Sequence, residues 1–92
     1  MIESIKHKGL KRLNERNDVS RLPAEHLPKI RMVLGLMTRV QTLQDMNYPG
    51  SGLHKLTGDL AGFYAVKISG NYRIIFLYGE GEFKDVVYID YQ

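Results

Sequence analysis

The second half of the sequence constrains the fold most, because from Leu53 onward short runs of strand-forming residues alternate with turn-forming residues. β-branched and aromatic residues favour strands, whereas Gly and Asn tolerate the positive φ angles that tight hairpins need. The runs are LHKL, FYAVKIS, NYRIIFLY and FKDVVYIDY, and turns are indicated at Gly70–Asn71 and in the GEGE segment 79–82. We therefore predict a meander of four antiparallel strands.

The first half predicts a short strand and a short helix. Ile2 and Ile5 would anchor a strand within residues 1–6. In residues 9–16 the two leucines, Leu10 and Leu13, stand three apart among charged residues, as on one side of a helix.

A longer helix is predicted after Pro23, where apolar residues recur at steps of three and four. They are Leu27, Ile30, Val33, Leu34, Met37 and Val40. Pro28 lacks a backbone N–H, so we expect the regular helix to begin near that residue. The pattern predicts that it ends at about Met46, before the NYPGSG segment.

Together these elements predict an α+β fold with the order β-α-α-β-β-β-β. Two N-terminal helices would pack on one face of a mainly antiparallel sheet and leave the other face free for function. At 92 residues and 43% hydrophobic content, we expect one domain that spans residues 1–92.

The amino-acid composition excludes several classes of site and of protein. The chain has no cysteine, which excludes a disulfide framework and a thiolate zinc site. No apolar run approaches the roughly 20 residues that span a bilayer, and the N-terminus lacks the apolar stretch of a secretory signal. We therefore expect a cytoplasmic protein that does not bind membranes.

The positive charge is concentrated in the first half, where nine Lys and Arg face five Asp and Glu, against four and five in the second half. Its densest part is the segment 6–16, which suits a surface that faces phosphates. The candidate phosphate-binding residues there are Lys6, Lys8, Lys11, Arg12 and Arg16. The alternative is an ordinary solvated helix face.

Six polar residues interrupt the predicted strands: His54, Lys55, Lys67, Arg73, Asp90 and Tyr91. Taken singly, a strand histidine is more often structural than catalytic, and an arginine often stands at a solvated rim or in an ion pair. Pairing across the GEGE turn would place Arg73 opposite about residue 87. Asp90 would then lie one diagonal step away, so that either Asp90 or Tyr91 shares the face of Arg73.

Three segments together resemble the HigB toxins of the RelE/ParE superfamily, the killer proteins of bacterial type II toxin-antitoxin modules. They are GLKRL in residues 9–13, GLHKLTGDLAGFYAVKISGNYRIIF in residues 52–76 and VVYIDY in residues 86–91. The resemblance extends over essentially the whole chain.

The resemblance implies a compact RNase-like α+β fold and ribosome-dependent cleavage of messenger RNA, with no metal ion or other cofactor. It also implies a cognate HigA-like antitoxin with a helix-turn-helix domain, through which alone the toxin would reach operator DNA. In such toxins the residues that match His54, Arg73, Asp90 and Tyr91 belong to the active surface.

Two positions depart from the pattern that the resemblance implies. Many relatives have a lysine before the Gly-Asp turn, where this chain has Thr57, and they end in Asp-Tyr-His, where this chain ends in Gln92. Thr57 removes a cation that could bind phosphate. Gln92 replaces an imidazole with an amide, which cannot transfer a proton near neutral pH.

RNA cleavage without a metal ion needs a base for the ribose 2′-hydroxyl, a cation for the phosphate and an acid for the departing 5′ oxygen. We expect His54 and Asp90 to share proton transfer around a phosphate that Arg73 binds, because a guanidinium stays charged and offers two parallel donors. Lys55 would assist, and Tyr91 would stack on a base or donate its hydroxyl. The basic residues between 6 and 16 would contact ribosomal RNA.

Two other hypotheses remain at this point. One is a ParE-like inhibitor of DNA gyrase, which would have no use for titratable groups on the sheet. The other is a homologue with weakened catalysis that mainly binds its antitoxin, in which Thr57 and Gln92 mark the loss.

Overall fold

The computed structural model describes residues 1–91, which form two α-helices followed by four strands. The helices are α1 (Lys8–Arg16) and α2 (Leu27–Arg39), and the strands are β1 (His54–Lys55), β2 (Tyr64–Ser69), β3 (Tyr72–Gly79) and β4 (Glu82–Asp90). The strands pair antiparallel in the order β1-β2-β3-β4. The predicted α+β class and the predicted meander are confirmed.

Helix α1 begins and ends at residues with side chains or conformations suited to caps. The Nδ1 atom of His7 accepts the N–H of Leu10 at 3.2 Å, which satisfies one of the free donors of the first turn. Asn17 closes the helix in the left-handed conformation, at φ 56°. Leu10 and Leu13 are buried, as their spacing predicted.

Helix α2 is shorter than its apolar pattern predicted. It begins at Leu27, with Pro28 in the first turn as expected, but it ends at Arg39 rather than near Met46. Val40 takes an extended conformation, and a separate 3-10 helix, Leu43–Met46, follows with the Thr42 side chain as its cap. Met46 is still fully buried, so its place in the apolar pattern reflects the core rather than a continuous helix.

The N-terminal segment forms two isolated parallel bridges to β4 rather than the predicted strand. Ile2 pairs with Phe83 and Ile5 pairs with Val86. Between these bridges the N–H of Asp85 donates to the Ser4 side chain at 2.8 Å instead of to a backbone carbonyl. The ladder is interrupted there, although the segment does lie along the outer edge of β4.

An irregularity in β4 changes the predicted register. Asp85 has φ 51°, and the pairing shifts by one residue between Ile75 and Leu77 of β3. Next to the turn Tyr78 pairs with Phe83, already one residue from the predicted register, and beyond the shift Arg73 pairs with Ile89. The prediction that Arg73 stands opposite about residue 87 is therefore wrong. An extra residue in one strand of a ladder advances every later pair.

The sheet has two different faces. The helix face packs with Leu10, Leu13 and the apolar residues of α2 into the main core. Its strand side chains in that core are Val66, Ile68, Ile74, Phe76, Phe83, Val86 and Tyr88. The open face carries a smaller cluster, built on Leu56, Ala65 and Ile75, which includes no residue of α1 or α2 among residues 1–91.

Within the described part of the chain, neither helix has the length and apolar character that crossing a membrane requires.

Candidate active site

His54 lies on the open face, in the edge strand β1. It pairs with Ala65 of β2, and its side chain is exposed. Its Nδ1 atom is 2.8 Å from the carbonyl oxygen of Gly52. Because a carbonyl oxygen can only accept, Nδ1 carries a hydrogen, and Nε2 is the nitrogen that can exchange a proton with a ligand.

Arg73 lies two strands away on the same face, since it pairs with Lys67 of β2 while His54 pairs with Ala65. Its Nη1 atom donates to the carbonyl oxygens of Gly70 at 2.5 Å and of Tyr72 at 3.0 Å. Both bonds use one nitrogen of a group with five N–H donors, so the guanidinium is oriented by the β2–β3 turn and keeps donors for an anion.

The register sets the separation of these two residues. His54 and Arg73 are two strands apart and offset by two residues, which places their Cα atoms about 12 Å from each other. The Arg73 guanidinium bonds to Gly70 and Tyr72 at the β2–β3 turn, and the His54 ring bonds to Gly52. A phosphate that touches both would therefore lie over β2.

Tyr91 is on the same side of the sheet as Arg73. It packs against the cluster of Leu56, Ala65 and Ile75, and its N–H donates to the carbonyl of Asn71 at 2.8 Å. Of the two alternatives left by the sequence, the register thus assigns Tyr91 rather than Asp90 to the face of Arg73.

Asp90 is exposed at the end of β4 and pairs with Tyr72, on the helix face. There Tyr72 stacks on Tyr88, with ring centroids 5.4 Å apart. Burial, with smaller contributions from Tyr72, Asp90 and Glu25, raises the pKa of Tyr88 to about 12. The structure therefore places the Asp90 carboxylate beside Tyr88, and not beside His54.

Comparison with known proteins identifies the family of this chain. The sequence of residues 3–92 matches the family described as the RelE-like toxin of type II toxin-antitoxin system HigB. This chain belongs to that family. The endoribonuclease HigB of Proteus vulgaris is 34% identical to it over 91 residues, which cover 99% of each protein.

The HigB-like toxin is also similar to a solved structure, the YoeB-YefM complex from Staphylococcus aureus. The TM-score is 0.56, and the similarity covers 97% of this chain and 98% of the other at 15% sequence identity. At that identity the likeness supports the fold alone. The RelE-like architecture predicted from the sequence is confirmed.

The structure separates the predicted RNA-binding cations from His54. Lys55 pairs with Tyr64, and its Nζ lies 5.9 Å from the centroid of that ring, on the helix-face side of β1. The basic residues Lys8, Lys11, Arg12 and Arg16 belong to α1, and because α1 packs on the helix face, they lie across the sheet from the open face. Lys6 precedes the cap of α1 and lies 3.7 Å from Asp85, at the outer edge of β4.

The two departures from the HigB pattern fall in different places. Thr57 is exposed in the turn after β1, where it precedes the 3-10 helix Gly58–Leu60. Gln92 lies outside the described residues.

One cation on the open face was not predicted as a site residue. Lys67 is exposed and pairs directly with Arg73. Alternation along β2 could have revealed it, because Val66 and Ile68 face the core while Lys67 must face the other way. In the sequence pattern alone, Lys67 is only a polar interruption of a strand.

No group of three or more His, Asp or Glu side chains within residues 1–91 of this HigB-like toxin is arranged to hold a metal ion.

Proposed function

We propose that this HigB-like protein is the endoribonuclease toxin of a type II toxin-antitoxin module, and that it cuts messenger RNA on the ribosome. Family membership and the name of the Proteus vulgaris relative support the nuclease activity. One observation carries the proposal: His54 and Arg73, far apart in the sequence, share an exposed face that the helices leave uncovered.

The reaction that suits these groups is attack of a ribose 2′-hydroxyl on the adjacent phosphorus. The O2′–P bond forms and the P–O5′ bond breaks, which gives a 2′,3′-cyclic phosphate and a free 5′-hydroxyl. One proton leaves O2′ and one reaches O5′. In this proposal the Nε2 atom of His54 exchanges a proton with the reacting RNA, and Gly52 fixes the ring through Nδ1.

Arg73 would stabilise the negative charge that grows on the phosphate. Its guanidinium can bind two phosphate oxygens at once. The bonds to Gly70 and Tyr72 orient it before RNA arrives, which reduces the entropy lost on binding.

Tyr91 would present its ring to an unstacked base beside the cleaved bond. The apolar cluster on the open face gives that base a surface to lie against, since Ile89 and Val87 pack there with Tyr91. Sequence preference in the messenger RNA would then depend on the shape of this surface.

Asp90 receives a supporting role in the proposal rather than a shared proton with His54. Its pairing with Tyr72 points the carboxylate toward the helix face, so it would set the position of the strand end that carries Tyr91. Lys55, which also lies toward the helix face, would contact RNA outside the cleaved bond.

Two partners complete the proposal. The cations of α1, on the side of the molecule opposite to His54, and Lys6, at the outer edge of β4, would contact ribosomal RNA in the cytoplasm. A HigA-like antitoxin would bind the toxin and carry it to operator DNA. Ribosome binding should then weaken steeply as salt rises, and a binding titration that is flat between low and high salt would contradict this part.

The test is cleavage of messenger RNA on purified translating ribosomes. The His54→Ala and Arg73→Ala variants should each cut at least about 100-fold more slowly than the parent. Arg39→Ala, which removes an exposed arginine at the end of α2, is the matched control and should cut at the parent rate. The active-site proposal fails if the His54 and Arg73 variants keep the parent rate while properly folded.

A further inference from the structure

Lys67 occupies the centre of the row of polar residues on the open face. In the sheet order, β2 lies between β1, which carries His54, and β3, which carries Arg73. Lys67 pairs directly with Arg73, so their Cα atoms are only about 5 Å apart. It therefore stands between two residues that are themselves about 12 Å apart.

The same loop that orients His54 also fixes Lys67. The backbone N–H of Lys67 donates to the carbonyl of Ser51 at 2.8 Å, and the next carbonyl, that of Gly52, accepts from His54. Gly52 has no side chain, and a Cβ added there would come 4.0 Å from the Cβ of Lys67. Gly52 therefore lies next to Lys67, and its φ of +59° is one that glycine adopts without strain.

The charges of Lys67 and Arg73 are arranged unfavourably for a protein without a ligand. Like charges directly opposite each other in an antiparallel ladder repel. Within the described residues the salt bridge that the structure contains joins Lys6 to Asp85 and involves neither of these two cations. A bound anion between Lys67 and Arg73 would convert their repulsion into two attractive contacts.

We propose that Lys67 is a second phosphate-binding residue of the active site, and that it contacts the phosphate of the cleaved bond together with Arg73. The inference rests on the proposed nuclease function and adds a catalytic cation to it. An ammonium at this position would lie over β2, where a phosphate touched by both His54 and Arg73 must also lie. It would help to supply the positive charge that Thr57 does not provide.

Single-turnover cleavage of messenger RNA on stalled ribosomes, at saturating toxin, tests the inference. The Lys67→Ala variant should cut about 10- to 100-fold more slowly than the parent. Lys67→Arg should keep the rate within about threefold, because it restores the charge. A purely structural role of the side chain would not be rescued in this way.

Lys84→Ala is the matched control. Lys84 pairs with Leu77, so it lies on the open face as well, but four residues further along the sheet, about 13 Å from the Arg73 pair. The control removes the same charge from the same face and should leave the rate unchanged. Lys67→Gln, which keeps the length of the side chain, replaces Lys67→Ala if the alanine variant does not fold.

The outcomes separate this inference from the function on which it rests. If the parent cuts and Lys67→Ala cuts equally fast, the assignment of Lys67 is overturned and the nuclease stands. The assignment is also overturned if Lys67→Arg is as slow as Lys67→Ala, or if Lys84→Ala slows cleavage as much. If the parent itself does not cut, the proposed function is wrong and the role of Lys67 falls with it.

Discussion

The two faces of the sheet differ in what their side chains touch. The helix face places Phe76, Phe83 and Val86 in the main core, all fully buried. The open face has a small apolar cluster around Ile75 and leaves His54 and Lys67 exposed. Because side chains alternate along each strand, one strand can place residues both in the core and on the open face. A single segment such as residues 72–76 therefore contributes to stability and to the proposed chemistry.

The comparison predicts that substitutions on the two faces have opposite consequences. Variants of the buried core residues on the helix face should lower the free energy of unfolding but keep the cleavage rate per folded molecule. Variants of the exposed polar residues on the open face should lower the cleavage rate but keep the free energy of unfolding.

The largest expected loss of stability comes from Phe76→Ala. Phe76 is fully buried between the helices and the sheet, with its ring 5.3 Å from that of Phe83. Truncation should lower the free energy of unfolding by about 3–5 kcal/mol, as measured by urea denaturation. His54→Ala on the open face should change it by less than about 0.5 kcal/mol. Equal losses in both variants would abolish the distinction between the faces.

A smaller loss is expected from Tyr88→Phe. The Tyr88 hydroxyl is 2.5 Å from the Nδ1 atom of His26, a residue that is also buried. Removal of the hydroxyl leaves that nitrogen without its partner and should lower the free energy of unfolding by about 1–3 kcal/mol.

Tyr78→Phe is the control for this substitution. The Tyr78 hydroxyl donates to the carbonyl of Gln41, but that bond is exposed, and water can replace it. Denaturation curves should therefore show a loss of less than about 0.5 kcal/mol for Tyr78→Phe. A cleavage rate that falls with Tyr88→Phe would show that the helix face also acts on the active site.

Below neutral pH, loss of the His7 cap of α1 should lower the free energy of unfolding by about 1 kcal/mol. Burial lowers the pKa of His7 from its ordinary value of 6.5, so the folded state binds this proton less readily than the unfolded state. Stability from this group is therefore present above pH 6.5 and is lost as the pH falls through the folded-state pKa. Protonation would also remove the acceptor for the Leu10 N–H.

His7→Asn isolates this effect, because an Asn side chain can still accept the Leu10 N–H and does not titrate. Urea denaturation at pH 7.5 and pH 5.5 should show a smaller decrease in stability for the variant than for the parent. Identical decreases would mean that His7 does not contribute to the pH dependence.

The smallest effect is expected from Lys6→Ala. Lys6 is 3.7 Å from Asp85, but its side chain is 68% exposed, and solvent screens the pair. The free energy of unfolding should change by less than about 0.5 kcal/mol, while ribosome binding at low salt should weaken. A loss of stability well above that bound would show that the edge of β4 depends on this pair.

The sequence predicted the order of the elements better than their ends. The strands were found because β-branched residues, aromatic residues and turn glycines mark them directly. The end of α2 was missed because Leu43 and Met46 continue the apolar spacing, although they belong to a separate 3-10 helix. Apolar spacing reports which residues reach the core, and two different helical geometries can satisfy it.

The candidate site was predictable in part for a similar reason. Alternation within β3 places Arg73 on the face of Ile75, whatever the register. The position of Asp90 depends on the register shift at Asp85. This shift is not marked by a glycine in the sequence, because aspartate is among the residues that tolerate a left-handed conformation. Residues beyond such a shift cannot be assigned to a face by counting from the turn.

The bridges between the N-terminal segment and β4 determine when pairing along the sheet can be completed during folding. The Ser4 hydroxyl bonds to Asp85, 81 positions later in the chain. The outer border of the sheet therefore stays unpaired until β4 has been synthesised, and contacts between such distant residues form slowly. We infer that pairing of the N-terminal segment with β4 is among the last steps of folding, because it joins the first and the last elements of the sheet.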